Sequence, residues 1–108
     1  MHRMRRCIAV IFSSLRSTDD PEGYATMAER MERMAAEQPG FLGVESVRDS
    51  SGRGITVSYW ESLDAVRAWR AQPAHIDAQK KGIAHWYREY RIRVCEMLYE
   101  SEFPGPDE

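Results

Sequence analysis

No stretch of this chain approaches the roughly 20 consecutive apolar residues that a membrane-spanning helix needs, so a transmembrane reading is excluded. Cysteine is scarce. Two residues, Cys7 and Cys95, make no disulfide framework, and reduced thiols in a cytoplasmic protein are the expectation. Excess charge of one sign is also lacking. The 15 Lys and Arg against 17 Asp and Glu leave a net charge of −2, which provides no global field for nucleic acid or an anionic membrane. The start MHRMRRCIAVIFSSL imitates an export signal. Its apolar run from Cys7 to Phe12 is short, however, no small-residue cleavage site follows, and the run reads as a first strand. There is no internal repeat. A chain of 108 residues suits one domain over residues 1–100, followed by a tail over 101–108 in which Pro104, Pro106, Asp107 and Glu108 predict disorder. A domain this small buries a limited fraction of its surface, so an apolar face left open invites a second copy.

What is present is strongly patterned. The segment QPGFLGVESVRDSSGRGITVSYW, Gln38 to Trp60, contains a helix break at Pro39-Gly40, a strand from Phe41 to Arg48, a polar turn and a second strand. In that second strand Ile55, Val57 and Tyr59 share one face, and Thr56, Ser58 and Trp60 share the other. Cys7 to Phe12 is almost continuously apolar, which suits a central strand covered on both faces. Asp20 is placed as an N-cap, with Pro21 at the first helical position and Glu22 at the positive end of the dipole. The helix that follows carries the stripe Tyr24, Met27, Ala28, Met31, Met34 and Ala35, which reads as core. A second helical region opens at Ser62 with Leu63, Val66 and Trp69 on one side. Pro73 interrupts it, and a further segment from Ala74 to about His85 resumes with Ile76, Gln79 and Ile83 facing together. A last strand spans Trp86 to Glu100.

The order β-α-β-β-α-β gives the fold class α+β, ferredoxin-like: a four-stranded antiparallel sheet with its helices on one face and the first and third strands central. The other face poses a problem, because the first and last strands carry apolar residues on both sides. A homodimer packed sheet against sheet through that face would cover it.

The segments AVIFSS (Ala9 to Ser14), QPGFLG (Gln38 to Gly43), SYWES (Ser58 to Ser62), WRAQPAH (Trp69 to His75) and WYREY (Trp86 to Tyr90) resemble the antibiotic biosynthesis monooxygenase family of dimeric α+β barrel proteins. The likeness covers about Cys7 to Tyr99. It implies a homodimer and, as the favoured activity, oxygenation of a small aromatic or polycyclic substrate with no cofactor. The alternatives within the family are a small-molecule-binding or stress-associated dimer without turnover and, third, a haem-handling enzyme. Haem-degrading relatives carry an Asn on the first strand, a Trp in the second helical region and an iron-ligating His farther along. Here Trp69 occupies the Trp position, but ten residues on stands Gln79, His75 is out of register, and the chain contains no Asn at all. Quinone-forming relatives also use an Asn. The resemblance therefore implies chemistry reassigned to Ser13 or Ser14 with His75, or a different activity.

The candidate catalytic residues are accordingly His75, Trp69 and Ser14. His75 would take a phenolic proton and leave an anion able to pass an electron to oxygen; the plainer reading is a half-exposed histidine at a helix start. Phe41, Tyr59, Trp60, Trp86 and Tyr90 would wall a pocket for a flat aromatic ligand, and the same residues suit a core or dimer interface equally well. Arg91, or Arg93, would hold a carboxylate or phenolate if turned inward. Otherwise Arg67, Arg70, Arg88, Arg91 and Arg93 make a solvated face balanced by neighbouring acids. His75 and His85 lie about 80° apart on a helix with no Cys or carboxylate at ligand spacing, so no metal site is expected.

Overall fold

A computed structural model of the chain describes residues 2–3 and 7–105. The elements in order are β1 (His2–Arg3), β2 (Cys7–Arg16), α1 (Pro21–Ala36), β3 (Phe41–Arg48), β4 (Arg53–Trp60), α2 (Leu63–Arg70), α3 (Pro73–Lys81), a π-helical turn (Gly82–Trp86), β5 (Tyr87–Met97) and β6 (Glu100–Ser101). The main sheet is antiparallel with strand order β3-β4-β2-β5. The first and third of its strands are thus central, as the apolar run in β2 predicts, and the fold is the expected ferredoxin-like α+β arrangement. A second small sheet pairs β1 with β6. That pairing carries regular structure to Ser101, one residue into the predicted tail; the remainder of that expectation over 106–108 lies outside the described residues. No helix among the described residues is long and apolar enough to cross a membrane.

Local signals set the element ends. Asp20 accepts a hydrogen bond from the Gly23 amide at 3.1 Å and caps α1, with Pro21 in the first turn, where its missing N–H costs nothing. Ser62 caps α2 in the same way through the Ala65 amide at 3.1 Å. Between α1 and β3 the chain turns at Gly40, whose φ of 85° suits glycine. A Cβ there would stand 2.7 Å from the Ala65 side chain, so the absence of one lets α2 lie close against the turn.

The helices cover one face of the sheet. In β4 the side chains turned toward them are Thr56, Ser58 and Trp60, opposite Phe12, Val10 and Ile8 of β2. Trp60 is fully buried and is surrounded by Val66 and Trp69 of α2, Ala35 of α1 and the partly buried Ile8, Val10, Met31 and Phe41. The reverse face holds Ala9, Ile11, Ile55, Val57 and Val47, of which Val47 is 73% exposed and Ile55 45% exposed. Cys7 is buried and Cys95 exposed, both as free thiols. They sit diagonally across the β2–β5 pair, Cys95 opposite Ala9 and Cys7 opposite Met97.

Two expectations for the second helical region need correction. Helix α3 turns His75, Ala78 and Gln79 inward, whereas Ile76 and Ile83 are exposed. The helix also ends at Lys81, and the chain winds through the π turn before β5 begins at Tyr87 rather than Trp86. Trp86, at the end of this turn, is buried. Its indole N–H reaches the Asp20 carboxylate at 3.3 Å, while its carbonyl accepts from the Ser17 amide at 2.9 Å and from the Arg16 guanidinium.

Truncating Trp60 removes the centre of this packing. Trp60→Ala should lower stability by about 3–5 kcal/mol, the range for deleting a buried aromatic side chain, whereas Ile83→Ala at an exposed position should stay within about 0.5 kcal/mol of wild type. Urea denaturation of the three proteins at one concentration measures both.

Candidate active site

Helices α1, α2 and α3 do not pack flush on the sheet. A cavity of about 290 Å³ lies between them, close to the lower end of the ~300–1,000 Å³ typical of small-molecule sites. The cause lies in the sequence: the sheet face below it carries Ser46, Thr56 and Ser58, which are too short to fill the layer. The hydroxyls of Ser46 and Thr56 bond each other at 2.7 Å, and Ser58 Oγ accepts from the Trp60 indole at 2.9 Å. These three hydroxyls form a polar strip in a floor otherwise made by Val10, Phe12, Val44 and Ile92, and their hydrogen bonds are largely made within the strip and its neighbour Trp60.

Aromatic rings wall the cavity in two groups. Phe41 meets Trp60 edge-on at 5.4 Å, Trp60 stacks on Trp69 at 6.2 Å, and Trp69 meets the His75 ring edge-on at 5.0 Å. The second group comprises Phe12 stacked on Tyr90 at 5.4 Å, then Tyr87, Tyr24 and Trp86 in successive edge contacts of 5.8 to 6.1 Å. The two groups sit at opposite ends. Trp60 pairs with Ile8 and Tyr90 with Ser14, six positions apart in β2, which is about 20 Å along a strand.

Of the residues singled out from the sequence, Phe41, Trp60, Trp69, His75, Trp86 and Tyr90 line this cavity. Tyr59 and Arg91 do not, and both expectations are corrected by the period of the strand. Tyr59 alternates with Ser58 and Trp60 and so faces the reverse side, where its hydroxyl donates to Glu45 at 2.7 Å. That bond to a carboxylate, reinforced by desolvation, pushes its pKa up to about 12. Arg91 likewise alternates with the lining residues Tyr90 and Ile92 and is exposed. Ser14 is buried on the helix-facing side but forms no part of the cavity wall, and it lies at the end away from His75. Arg48 claims it. The guanidinium donates to Ser14 Oγ at 2.9 Å, to the Gly52 carbonyl at 2.6 Å and to the Tyr24 hydroxyl at 3.2 Å. A side chain at Gly54 would meet that guanidinium at 2.6 Å, so glycine there leaves the space Arg48 occupies.

His75 carries a buried polar atom that the wall leaves unpaired. Its Nδ1 is buried and makes no hydrogen bond. Burial pushes its pKa below the ordinary 6.5, and the positive charge of Arg70 pushes the same way. The ring is therefore neutral near pH 7 and has an unsatisfied nitrogen. Arg70, read from the sequence as part of a solvated basic face, belongs to the cavity wall instead. It stands at the end of α2, half-buried, and lines the cavity. Its spacing was a usable signal, because it follows Val66 by four positions and so shares the buried face of α2. Sequence reasoning missed Tyr87. Desolvation, then the hydrogen-bonded Tyr24, raises its pKa, so its phenol stays protonated at the far end of the cavity. Among the described residues no three His, Cys, Asp or Glu side chains come together as metal ligands.

Comparison with known proteins places this geometry. The family model for antibiotic biosynthesis monooxygenase matches residues 8–81. The uncharacterized protein YqjZ of Bacillus subtilis (strain 168) is 56% identical over 89 residues, covering 82% of this chain and 77% of that protein. Among solved structures, Rv0793 from Mycobacterium tuberculosis superposes with a TM-score of 0.77 at 15% identity, over 89% of this chain and 99% of that one. SnoaB, a cofactor-independent oxygenase from Streptomyces nogalater, does so with a TM-score of 0.70 at 17% identity, over 92% and 98%. These two structural likenesses are of fold. The family match spans most of the chain, taking in β3, β4 and the three helices beside the cavity and ending before β5, so this chain belongs to the antibiotic biosynthesis monooxygenase family.

Proposed function

We propose that the protein is a cofactor-independent monooxygenase that oxygenates a small aromatic phenol in the cavity between helices and sheet, working as a homodimer in the cytoplasm. One observation carries this reading: the buried, unpartnered Nδ1 of His75, beside Trp69 in an aromatic-walled cavity. Leaving such a nitrogen unsatisfied is costly unless a ligand pairs with it. A neutral imidazole accepts the phenolic proton, and the resulting electron-rich phenolate passes one electron to dioxygen. Recombination of the radical pair forms a carbon–oxygen bond. The peroxide formed then loses its distal oxygen as water, taking up the proton held by His75 and the hydrogen lost from the same ring carbon. One phenol and one dioxygen thus give one quinone and one water, with no external reductant. The family match and the oxygenase SnoaB among its structural neighbours support the reaction class.

A second reading is favoured by the position of Ser14. That serine is held by Arg48 at the far end of the cavity, so no serine–histidine pair forms, and a binding dimer without turnover needs none. Oxygen uptake separates the two. With an anthrone-like or dihydroxynaphthalene-like substrate at saturation, His75→Ala should lower the rate by about 10²-fold or more, the low end for losing a general base. Equal rates would remove His75 from the mechanism. An absence of uptake by wild type across a broad phenol panel would favour the binding reading.

The protonation state of His75 also has a thermodynamic signature. The unfolded chain takes up this proton near pH 6.5 and the folded chain only below that. The contribution is therefore fully present above 6.5 and is lost as pH falls from there through the lower folded pKa. Urea midpoints between pH 7 and about 5 should decline less in His75→Gln than in wild type. Parallel declines would show that the imidazole is not desolvated.

Dimerisation rests on the reverse sheet face, where Val47 and Ile55 stand exposed beside Ile11 and Val57. Sedimentation should give twice the chain mass, and Ile55→Glu, which sets like charges against each other across a two-fold axis, should give monomer. A monomeric wild type, or a dimer indifferent to Ile55→Glu, would count against this interface.

A further inference from the structure

The wall of the cavity contains a cation with no counterpart. Arg70 stands at the C-terminal end of α2 and lines the cavity, and among the described residues it makes no ion pair or side-chain hydrogen bond. Its neighbours behave otherwise. Arg67 pairs with Asp64 at 3.5 Å on the outer face of the same helix, and Arg48 has its three acceptors at the other end. The other charged lining residue is Glu32 of α1, which is exposed and forms no ion pair with Arg70. A half-buried guanidinium keeps part of its desolvation cost unless an anion meets it, and its fork of donors matches a carboxylate in particular. Arg70 also acts on the same end of the cavity as His75, whose titration it perturbs.

We infer that the cavity selects aromatic acids: a flat phenol that also carries a carboxylate, which pairs with Arg70 while the hydroxyl meets His75. This rests on the reading of the cavity as an aromatic-ligand site and adds the class of ligand. Arg70 is on this account a specificity residue, distinct from the base. The volume of about 290 Å³ suits two or three fused rings with such a substituent better than a long flexible acid. The walls agree, since stacked and edge-on rings take a planar body while His75 and Arg70 stand together at one end. Bound carboxylate would also offset the positive charge that disfavours protonation of His75, so an acid would make the imidazole more basic where a base is needed.

The test is equilibrium binding by calorimetry to the full-length protein, free of any demand for turnover. The probes are a hydroxynaphthoate with its hydroxyl and carboxylate on different rings, and the corresponding primary amide, which has the same shape without the charge. Wild type should bind the acid at least about tenfold more tightly than the amide, the size of one charge-assisted hydrogen bond. Arg70→Gln should abolish that preference, weakening the acid by more than the amide, and Arg70→Lys should retain part of it. Circular dichroism establishes that each variant is folded. Equal binding of acid and amide by wild type, or a preference that survives in Arg70→Gln, overturns the assignment of Arg70 and leaves the aromatic-ligand cavity standing. Failure of wild type to bind either probe overturns both.

Discussion

The structure depends on a layer that cannot be filled. Three helices sit on a sheet face whose central row in β4 is Gly54, Thr56, Ser58 and Trp60. A compact core would need branched aliphatic side chains at the two middle positions; hydroxyl residues leave a void there instead. The void persists because it is braced at both ends. Trp60 and Trp69 stack at one end, and Trp86 and the tyrosines interlock at the other. Large rings hold the layers apart while the small floor keeps the space open. The polar strip is tolerated because Ser46 and Thr56 bond each other and Ser58 serves the Trp60 indole.

Much of this was legible in the residues. The alternation from Ile55 to Trp60 separates the cavity row from the outer row correctly, and the Asp20-Pro21 pair marks the start of α1. The continuous apolar run in β2 identifies a central strand. Legibility fails where phase is reset by something nonlocal. Pro73 starts a new helix, so the inward face of α3 is His75, Ala78 and Gln79, and the apolar residues Ile76 and Ile83 mislead because they lie outside. In β5 both faces carry large side chains, and only the pairing of Tyr90 with Ser14 and Ile92 with Phe12 shows that Arg91 faces away. Ser14 looks available in the sequence, yet it is engaged by an arginine 34 positions away, a contact no local pattern reports. The two-residue β1–β6 pair joins the ends of the chain and is equally invisible to periodicity.

The two faces of the sheet are coupled through the same backbone. Each cavity residue of β4 is flanked by residues of the reverse face, Ile55, Val57 and Tyr59, so a partner covering that face would also fix the strand that forms the cavity floor. The Tyr59–Glu45 bond sits within that outer surface and keeps a carboxylate satisfied where water would be excluded. A cavity held open by bracing rings gains from such a backing, because a void lowers the cost of local collapse and a second layer raises it.

The electrostatics follow from one break in the chain. Helix α2 ends at Arg70, the chain turns through Ala71-Gln72, and Pro73 opens α3, so His75 is brought back against Trp69 rather than continuing along a single helix. An uninterrupted helix would carry His75 six positions beyond Trp69, about 120° away from it around the axis. The break instead sets a neutral, unsatisfied imidazole and an unpaired guanidinium at one end of an otherwise aromatic chamber. Burial and like-signed charge both oppose protonation of His75, and no carboxylate among the described residues pairs with Arg70. Such an arrangement is relieved by a molecule that brings a hydrogen-bonding hydroxyl and negative charge on a flat apolar body.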